Sequence, residues 1–519
     1  MNLNKSIIYE VYPTSFYDKN GDGIGDLAGI TEKLDYIKDL GADIIWLNPI
    51  FKSPFKDGGY DITDYYSIDK KFGNSDDFSA LIKKAHSLGI KILLDLVVGH
   101  TSDKHPWFLK SKREKKNEFF DYYIWTNNIF VGGSDTIKGM AKRNGNYMVN
   151  YYSFQPALNY GFNIENKENN DDPWLSDKWK ISYTDKRLEP LRKEIMAIIL
   201  FWLDNGADGF RVDMANSLIK GNYDLNAFKW LWSQLIGGAK EKYPDAIFMS
   251  EWGKPEDSAA CGFDIDYFSH CSVGYNELFR GEKGSNILPA FECGHSYFAR
   301  EGKGNIRDLV KSTLRLCDNT GNDKYYSIPS GYHDITRVAT NKSDEEMKCV
   351  FAFLLTYKNL PMIYYGDEIG IKHNFKVNKD GGYVRTGART PMQWTEGKNK
   401  GFSDSDGRLY LPVEKRKGVS VEYQKSDERS IYNFVKKMIA VKKENAAFDY
   451  DAALEISENV GYPLKYIREK DGKKVIVYIN PSDREYAINE KIRKVLIAEN
   501  VDESNGMTLK KQGILIAEI

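Results

Sequence analysis

The stretch Gly206-Ala207-Asp208-Gly209-Phe210-Arg211-Val212-Asp213 decides the fold. Locally it reads as a helix end, a short buried strand and then a carboxylate. Gly206 suits the left-handed position that follows a helix. Phe210 and Val212 alternate with Arg211 and Asp213, as in a strand entering a core. Arg211 and Asp213 lie two apart, so on a strand they point the same way. A guanidinium beside a carboxylate keeps it ionised at neutral pH, which a carboxylate nucleophile needs. Taken alone, the pair also reads as a structural ion pair at a strand end.

The same unit recurs on both sides of this stretch. Residues 27–40 are helix-periodic, stop at Gly41 and lead to an apolar run at 43–47. Residues 78–88 repeat the pattern, stop at Gly89 and lead to 91–98. The helix ahead of Gly206 spans 191–203, and another at 225–242 breaks at Pro244 before a strand at 247–251. Further strands are expected at 7–11, 263–268, 325–328 and 362–365. Near-continuous apolar strands alternating with helices mean parallel strands covered by helices. Eight of them predict an α/β fold, a (β/α)8 TIM barrel.

The pattern lapses after His100, where Gly, Asn, Tyr and Lys dominate. We therefore assign 1–100 and 176–445 to the barrel and 101–175 to a subdomain inserted after strand 3. Short strands separated by Asp-Gly, Asn-Pro and Asn-Gly turns predict a C-terminal antiparallel β-sandwich over 446–519.

Near the start, Asp18, Asn20, Asp22 and Asp26 place oxygen side chains at regular intervals, with the Ile24 carbonyl between them. Glycines supply the bends. This spacing predicts a structural Ca²⁺ site in preference to Mg²⁺, which holds more water and stricter geometry.

Charge is nearly balanced, at net −1 with 28% charged residues, so neither nucleic acid nor a membrane surface is expected as partner. The five cysteines are scattered, which suits reduced thiols. Met1 leads into a strand without the apolar run of a secretory signal, and no stretch is long and apolar enough to span a bilayer. A cytoplasmic monomer is expected.

Active sites of such barrels lie at the C-terminal ends of the strands. The polar residues there are Asp61, His100, Asp213, Glu251, His333 and Asp334. Each alone has a structural explanation, but buried carboxylates of one sign are costly to gather for packing. Facing carboxyl groups suit glycoside cleavage, one an ionised nucleophile and one a protonated acid. Asp213 has the arginine and is expected to be the anion. Glu251, between Met249 and Trp252, is expected to be the acid, and Asp334 to grip sugar hydroxyls. His100 and His333 are expected to donate hydrogen bonds as the ring becomes oxocarbenium-like.

These segments resemble glycoside hydrolase family 13, the α-amylase family. DLVVGH (95–100), GFRVD (209–213), the strand ending in Glu251 and YHDITR (332–337) match its four signatures, and GADIIWLNP (41–49) and MIYYGDE (362–368) also match. The resemblance implies Asp213 as nucleophile, Glu251 as acid/base and Asp334 as transition-state stabiliser, supported by Arg211, His100 and His333. GGYDITDYY (58–66) and GARTPMQW (387–394) are similar to the oligo-1,6-glucosidase and trehalose-synthase branch. That likeness implies that Asp61 and Arg389 hold a terminal glucose, with Tyr60 stacked beneath it, and that short α-glucan oligosaccharides are cleaved from one end. It also implies the calcium loop. A second family calcium between barrel and insert is not expected, because Gly99 and Ala157 stand where its oxygen ligands would be. Met214 after the nucleophile, and Tyr332 where Asn is usual, leave linkage and acceptor preference open.

Overall fold

The computed structural model describes residues 2–164, 179–221, 223–287, 289–319, 324–504 and 506–519, without the side chains of 317–319. Eight parallel strands close into a barrel. They are β1 (Ile8–Val11), β2 (Ile44–Leu47), β3 (Lys91–Leu96), β4 (Gly209–Val212), β5 (Ile247–Ser250), β6 (Ile265–Tyr267), β7 (Tyr325–Pro329) and β8 (Leu360–Tyr364). They pair in chain order, and β1 pairs with both β2 and β8 to seal the ring.

The deciding stretch is built as read. Gly206 has φ 94° just past the helix Glu189–Asp204, a conformation that favours glycine. Gly209 is fixed by packing as well: an added Cβ would lie 2.0 Å from the Ile247 carbonyl oxygen of β5. Arg211 sits opposite Asp95 of β3 and Met249 of β5 in the ladders. Every residue of β4 is buried, so the Arg211 guanidinium is enclosed in the barrel.

The helices Leu27–Leu40 and Leu225–Lys242 keep the bounds read from their periodicity. A helix at Asp344–Thr356 is not evident from the sequence pattern. From Glu346 to Thr356 every residue but Lys348 is buried, so it lacks the polar stripe that a 3.6-residue period needs. Its start is nevertheless written locally, as a capping box between Ser343 and Glu346.

The insert carries a helix, Pro106–Ser111, a two-strand ladder of Thr136–Ile137 with Tyr147–Met148, and a small core of Ile124, Met148, Ala157 and Phe162. It is tied to the barrel rim by a bridge from His100 to Ala157. Its expected end at residue 175 lies outside the described residues. The C-terminal strands form one six-stranded antiparallel sheet where a sandwich was expected, because Met507–Glu518 pairs along its length with three other strands. The period-2 rule splits its faces: Val475, Val477 and Ile479 join the main core, while Ile476 and Tyr478 form a separate cluster. Buried Arg468 docks the sheet, donating to the carbonyls of Thr356 (2.8 Å) and Asp449 (2.6 Å).

Cys261, Cys271, Cys293 and Cys349 are unpaired, and the Cys317 side chain lies outside the described residues. Among the described residues no helix is long and apolar enough to cross a membrane.

Candidate active site

β4, β5 and the loop after β7 deliver Asp213, Glu251 and Asp334 to one mouth of the barrel. All three line a cavity of about 290 Å³, near the small end of ligand pockets, which run roughly 300–1,000 Å³. Asp57, Tyr60, His100 and Arg385 share its wall.

Arg211 organises the base of this cavity. Its Nη1 contacts Asp95 Oδ1 at 2.7 Å and Asp213 Oδ1 at 3.1 Å, and its Nη2 contacts Glu251 Oε2 at 2.6 Å. The Met214 N–H also donates to Glu251 Oε2, at 3.0 Å, from a strained left-handed backbone with φ 44°. Burial pushes the Asp213 carboxyl well above the usual range; Arg211 pulls it down, and Glu251, Asp95 and Asp334 push it up further. The expectation that Asp213 owns its arginine is thereby corrected. One guanidinium serves three carboxylates, so Arg211 does not offset the cost of burying Asp213 alone. Asp95 opens the DLVVGH segment, yet its part in this sharing is visible only once β3 and β4 are paired.

The second charged knot lies at Asp334. Arg385 Nη1 (2.8 Å) and Arg389 Nη2 (2.7 Å) both reach its Oδ1. Arg385 Nη2 continues to Asp57 Oδ1 at 2.9 Å and to the Tyr152 hydroxyl at 2.9 Å. Burial opposes the Asp334 charge, but Arg385, His333 and Arg389 overcome it and hold the carboxyl below the usual range.

The expected partnership of Asp61 with Arg389 is corrected here. The Asp61 carboxylate is turned into its own loop, where it accepts from the Ser53 hydroxyl (2.9 Å) and from the N–H groups of Lys56 and Asp57 (3.1 Å each). Burial raises it to about 6. Asp57 takes the pocket position instead. The physical reason is the turn over 56–59: its Lys56 and Asp57 N–H groups point at the Asp61 carboxylate and hold it within the loop. Arg389 is buried behind Asp334, and Arg385, which sequence reasoning missed, is the arginine of the wall.

Tyr60 lines the cavity, stacks on His333 at 5.1 Å and donates its hydroxyl to Asp95 Oδ2 at 2.8 Å. Both ring nitrogens of His100 meet protein groups: Nε2 the Tyr60 carbonyl at 3.0 Å, and Nδ1 the Asn150 amide at 3.2 Å. Burial lowers His100 to about 4 and keeps it neutral. His333 Nδ1 meets Glu10 Oε1 of β1 at 2.8 Å, which turns Nε2 toward Asp334 Oδ2 at 3.5 Å. Glu10 was not singled out from the sequence; as a charged residue inside an apolar strand it stood out only by its burial cost.

The Asp18–Asp26 loop sits apart from this cavity. Asp18 accepts from the N–H groups of Gly21 and Gly23 and from the Ser403 hydroxyl. Asp26 accepts from Lys19, Asn20 and Gly29, Asn20 from Asp22, and Asp22 from Ile24. A carboxylate offers about four lone-pair sites and an amide oxygen two, so each of these side chains keeps acceptor capacity after those bonds. The donor chemistry therefore fits a hard dication that also takes the Ile24 carbonyl. Among the described residues no three His, Cys, Asp or Glu side chains converge as a metal site by themselves.

A closed parallel barrel whose mouth gathers three carboxylates around shared arginines defines an enzyme acting on glycosides. The chain belongs to the α-amylase family: residues 10–451 match the family described as "Alpha amylase, catalytic domain". It is 30% identical to an oligo-1,6-glucosidase of Parageobacillus thermoglucosidasius, over 92% of this chain and 90% of that protein. It is 31% identical to a trehalose synthase/amylase, TreS, of Mycolicibacterium smegmatis, over 89% of this chain and 80% of that protein. In fold it is similar to the trehalulose synthase MutB of Pseudomonas mesoacidophila MX-45, with TM-score 0.79, 23% identity and 99% of both chains covered.

Proposed function

We propose that this protein is a retaining, exo-acting α-glucosidase that hydrolyses short malto- or isomalto-oligosaccharides. The observation that carries the reading is one small pocket in which Arg211 bridges Asp213 and Glu251 while Asp57, Arg385 and Asp334 are linked across one wall. Carboxylates on the two nitrogens of one guanidinium are close-set, as in a retaining pair, whose separation is roughly 5–5.5 Å.

Asp213 attacks the anomeric carbon, the glycosidic C–O bond breaks, and the leaving oxygen takes the proton of Glu251. Water then gives a proton to the Glu251 carboxylate, its oxygen bonds to the anomeric carbon, and the Asp213 carboxylate departs. Arg385 and Arg389 occupy one oxygen of Asp334, which leaves the other to accept a sugar hydroxyl. The link among Asp57, Arg385 and Tyr152 counts against a long polymer threading past this wall, as an endo-acting α-amylase requires.

A second reading, a transglucosylase of trehalose-synthase type, uses the same intermediate but retains the released sugar. The similarity to TreS and the small cavity favour it. A time course on maltotriose, isomaltose and trehalose, resolved by chromatography, separates the two. Glucose released singly supports hydrolysis from the chain end. Interconversion of maltose and trehalose supports transfer, and internal fragments overturn the exo reading. We also propose that the Asp18–Asp26 loop binds one structural Ca²⁺ through Asp18, Asn20, Asp22, Asp26 and the Ile24 carbonyl.

A further inference from the structure

The pocket wall that does not belong to the Asp57–Arg385 link is formed largely by Met214, Trp252, His270, Cys271 and Ile287. His270 follows β6, which lies between the strand that ends before Glu251 and the strand that precedes Asp334. Asn216 and Ser269 add polar groups to this wall, and His270 is its imidazole.

His270 is fixed in a single orientation. Its carbonyl accepts from Asn276 Nδ2 at 2.6 Å. Its backbone N–H donates to the Tyr332 hydroxyl oxygen at 3.0 Å, and its Nδ1 meets the same oxygen at 2.6 Å. Tyr332 is fully buried and packs edge-on against Tyr267, whose hydroxyl accepts from Arg211 at 3.0 Å. The Tyr332 O–H has one acceptor among the described residues, His270 Nδ1. Were Nδ1 protonated, that hydroxyl would be left buried without an acceptor, at a cost that selects the other tautomer. The ring therefore carries its proton on Nε2 and remains only partly buried at the cavity. Burial also lowers the basicity of His270, so the ring is neutral and acts as a hydrogen-bond donor.

We infer that His270, oriented by Tyr332, is a specificity-determining residue of the leaving-group site: its Nε2–H donates to a hydroxyl of the departing sugar. This rests on the glucosidase reading above. It also gives a definite role to Tyr332, which stands where the family usually has Asn. A phenyl ring at this position can neither accept the His270 N–H nor donate to Nδ1.

The test compares two donors with the same glucosyl group. α-D-Glucosyl fluoride departs without a leaving sugar; the second donor is whichever of maltose, isomaltose and trehalose the wild type cleaves fastest. For His270→Ala, kcat/KM on the diglucoside should fall roughly 10-fold more than on the fluoride, the worth of one hydrogen bond. Tyr332→Phe keeps the ring and removes only the tautomer lock, so it should give the same selective loss at about 3-fold. Equal losses on both donors in either variant, or no loss on the diglucoside, overturn the inference. A wild type that turns over neither donor overturns the glucosidase reading, and the inference with it.

Discussion

The two walls of the pocket are made from different chemistry. On one, Asp57, Arg385, Arg389 and Asp334 form a continuous chain of charge-assisted hydrogen bonds. On the other, Met214, Trp252 and Ile287 offer mainly shape, and the polar groups of Asn216, Ser269 and His270 are uncharged. Charge-assisted bonds between planar groups fix position tightly and reject a poor fit. Apolar walls discriminate weakly, since one methylene changes selectivity by only ~1–3 kcal/mol. On the reading proposed here, the difference leaves the transferred sugar rigidly specified and the partner that leaves or accepts it open to adjustment by a few side chains.

The common chemistry at the base sets the scale. Asp213→Asn removes the proposed nucleophile and should lower kcat by roughly 10⁴-fold or more, measured on glucosyl fluoride with the melting temperature unchanged. Near-normal turnover would remove Asp213 as nucleophile and dissolve the comparison.

The charged wall should yield the next largest effect. Arg385→Ala breaks the link to Asp57 and removes one of two guanidiniums holding Asp334 ionised. A drop of about 10²-fold in kcat/KM is expected, mostly through KM. The sign of the pH effect follows. Arg385 holds the Asp334 carboxyl below its usual range, so losing it raises that group's folded-state value. An Asp334 that must be ionised then limits activity at higher pH, and the acid limb of kcat/KM moves upward. Asp61→Asn is the control that sharpens the point. Its carboxylate serves its own loop, so stability should change more than product pattern. If Asp61→Asn relaxed end-selectivity while Arg385→Ala did not, the assignment of the wall would be reversed.

Much of this is legible in the unfolded chain. The barrel follows from helix-glycine-strand repeats, and the carboxylates at 213, 251 and 334 follow from what succeeds each apolar run. The wall residues are harder because they lie in loops, where no period tells which way a side chain points. Asp57 and Asp61 flank the same Gly-Gly-Tyr segment, and Arg385 and Arg389 both reach one oxygen of Asp334. Choosing within each pair requires the backbone. The charge state of Asp213 is hidden for a related reason. The sequence shows the arginine two residues away, but not Asp95 or Glu251 brought to the same guanidinium by the pairing of β3, β4 and β5.

The smallest expected effect concerns the Asp18–Asp26 loop. The Asp18 N–H donates to the Phe402 carbonyl at 3.0 Å, and Asp18 Oδ2 accepts from Ser403 Oγ at 2.6 Å. The Asp18–Asp26 loop is thereby tied to the segment that follows Arg385 and Arg389. A Ca²⁺ bound there stabilises the folded state by mass action. Adding Ca²⁺ to chelator-treated protein should raise the melting temperature by about 2–4 °C, and Asp22→Ala should abolish that response. KM should rise less than about threefold without the ion, because the wall's own ion pairs remain. A melting curve indifferent to Ca²⁺ would sink the calcium site. A KM change as large as that of Arg385→Ala would mean that the loop, and not the arginine pair, positions the glucosyl group.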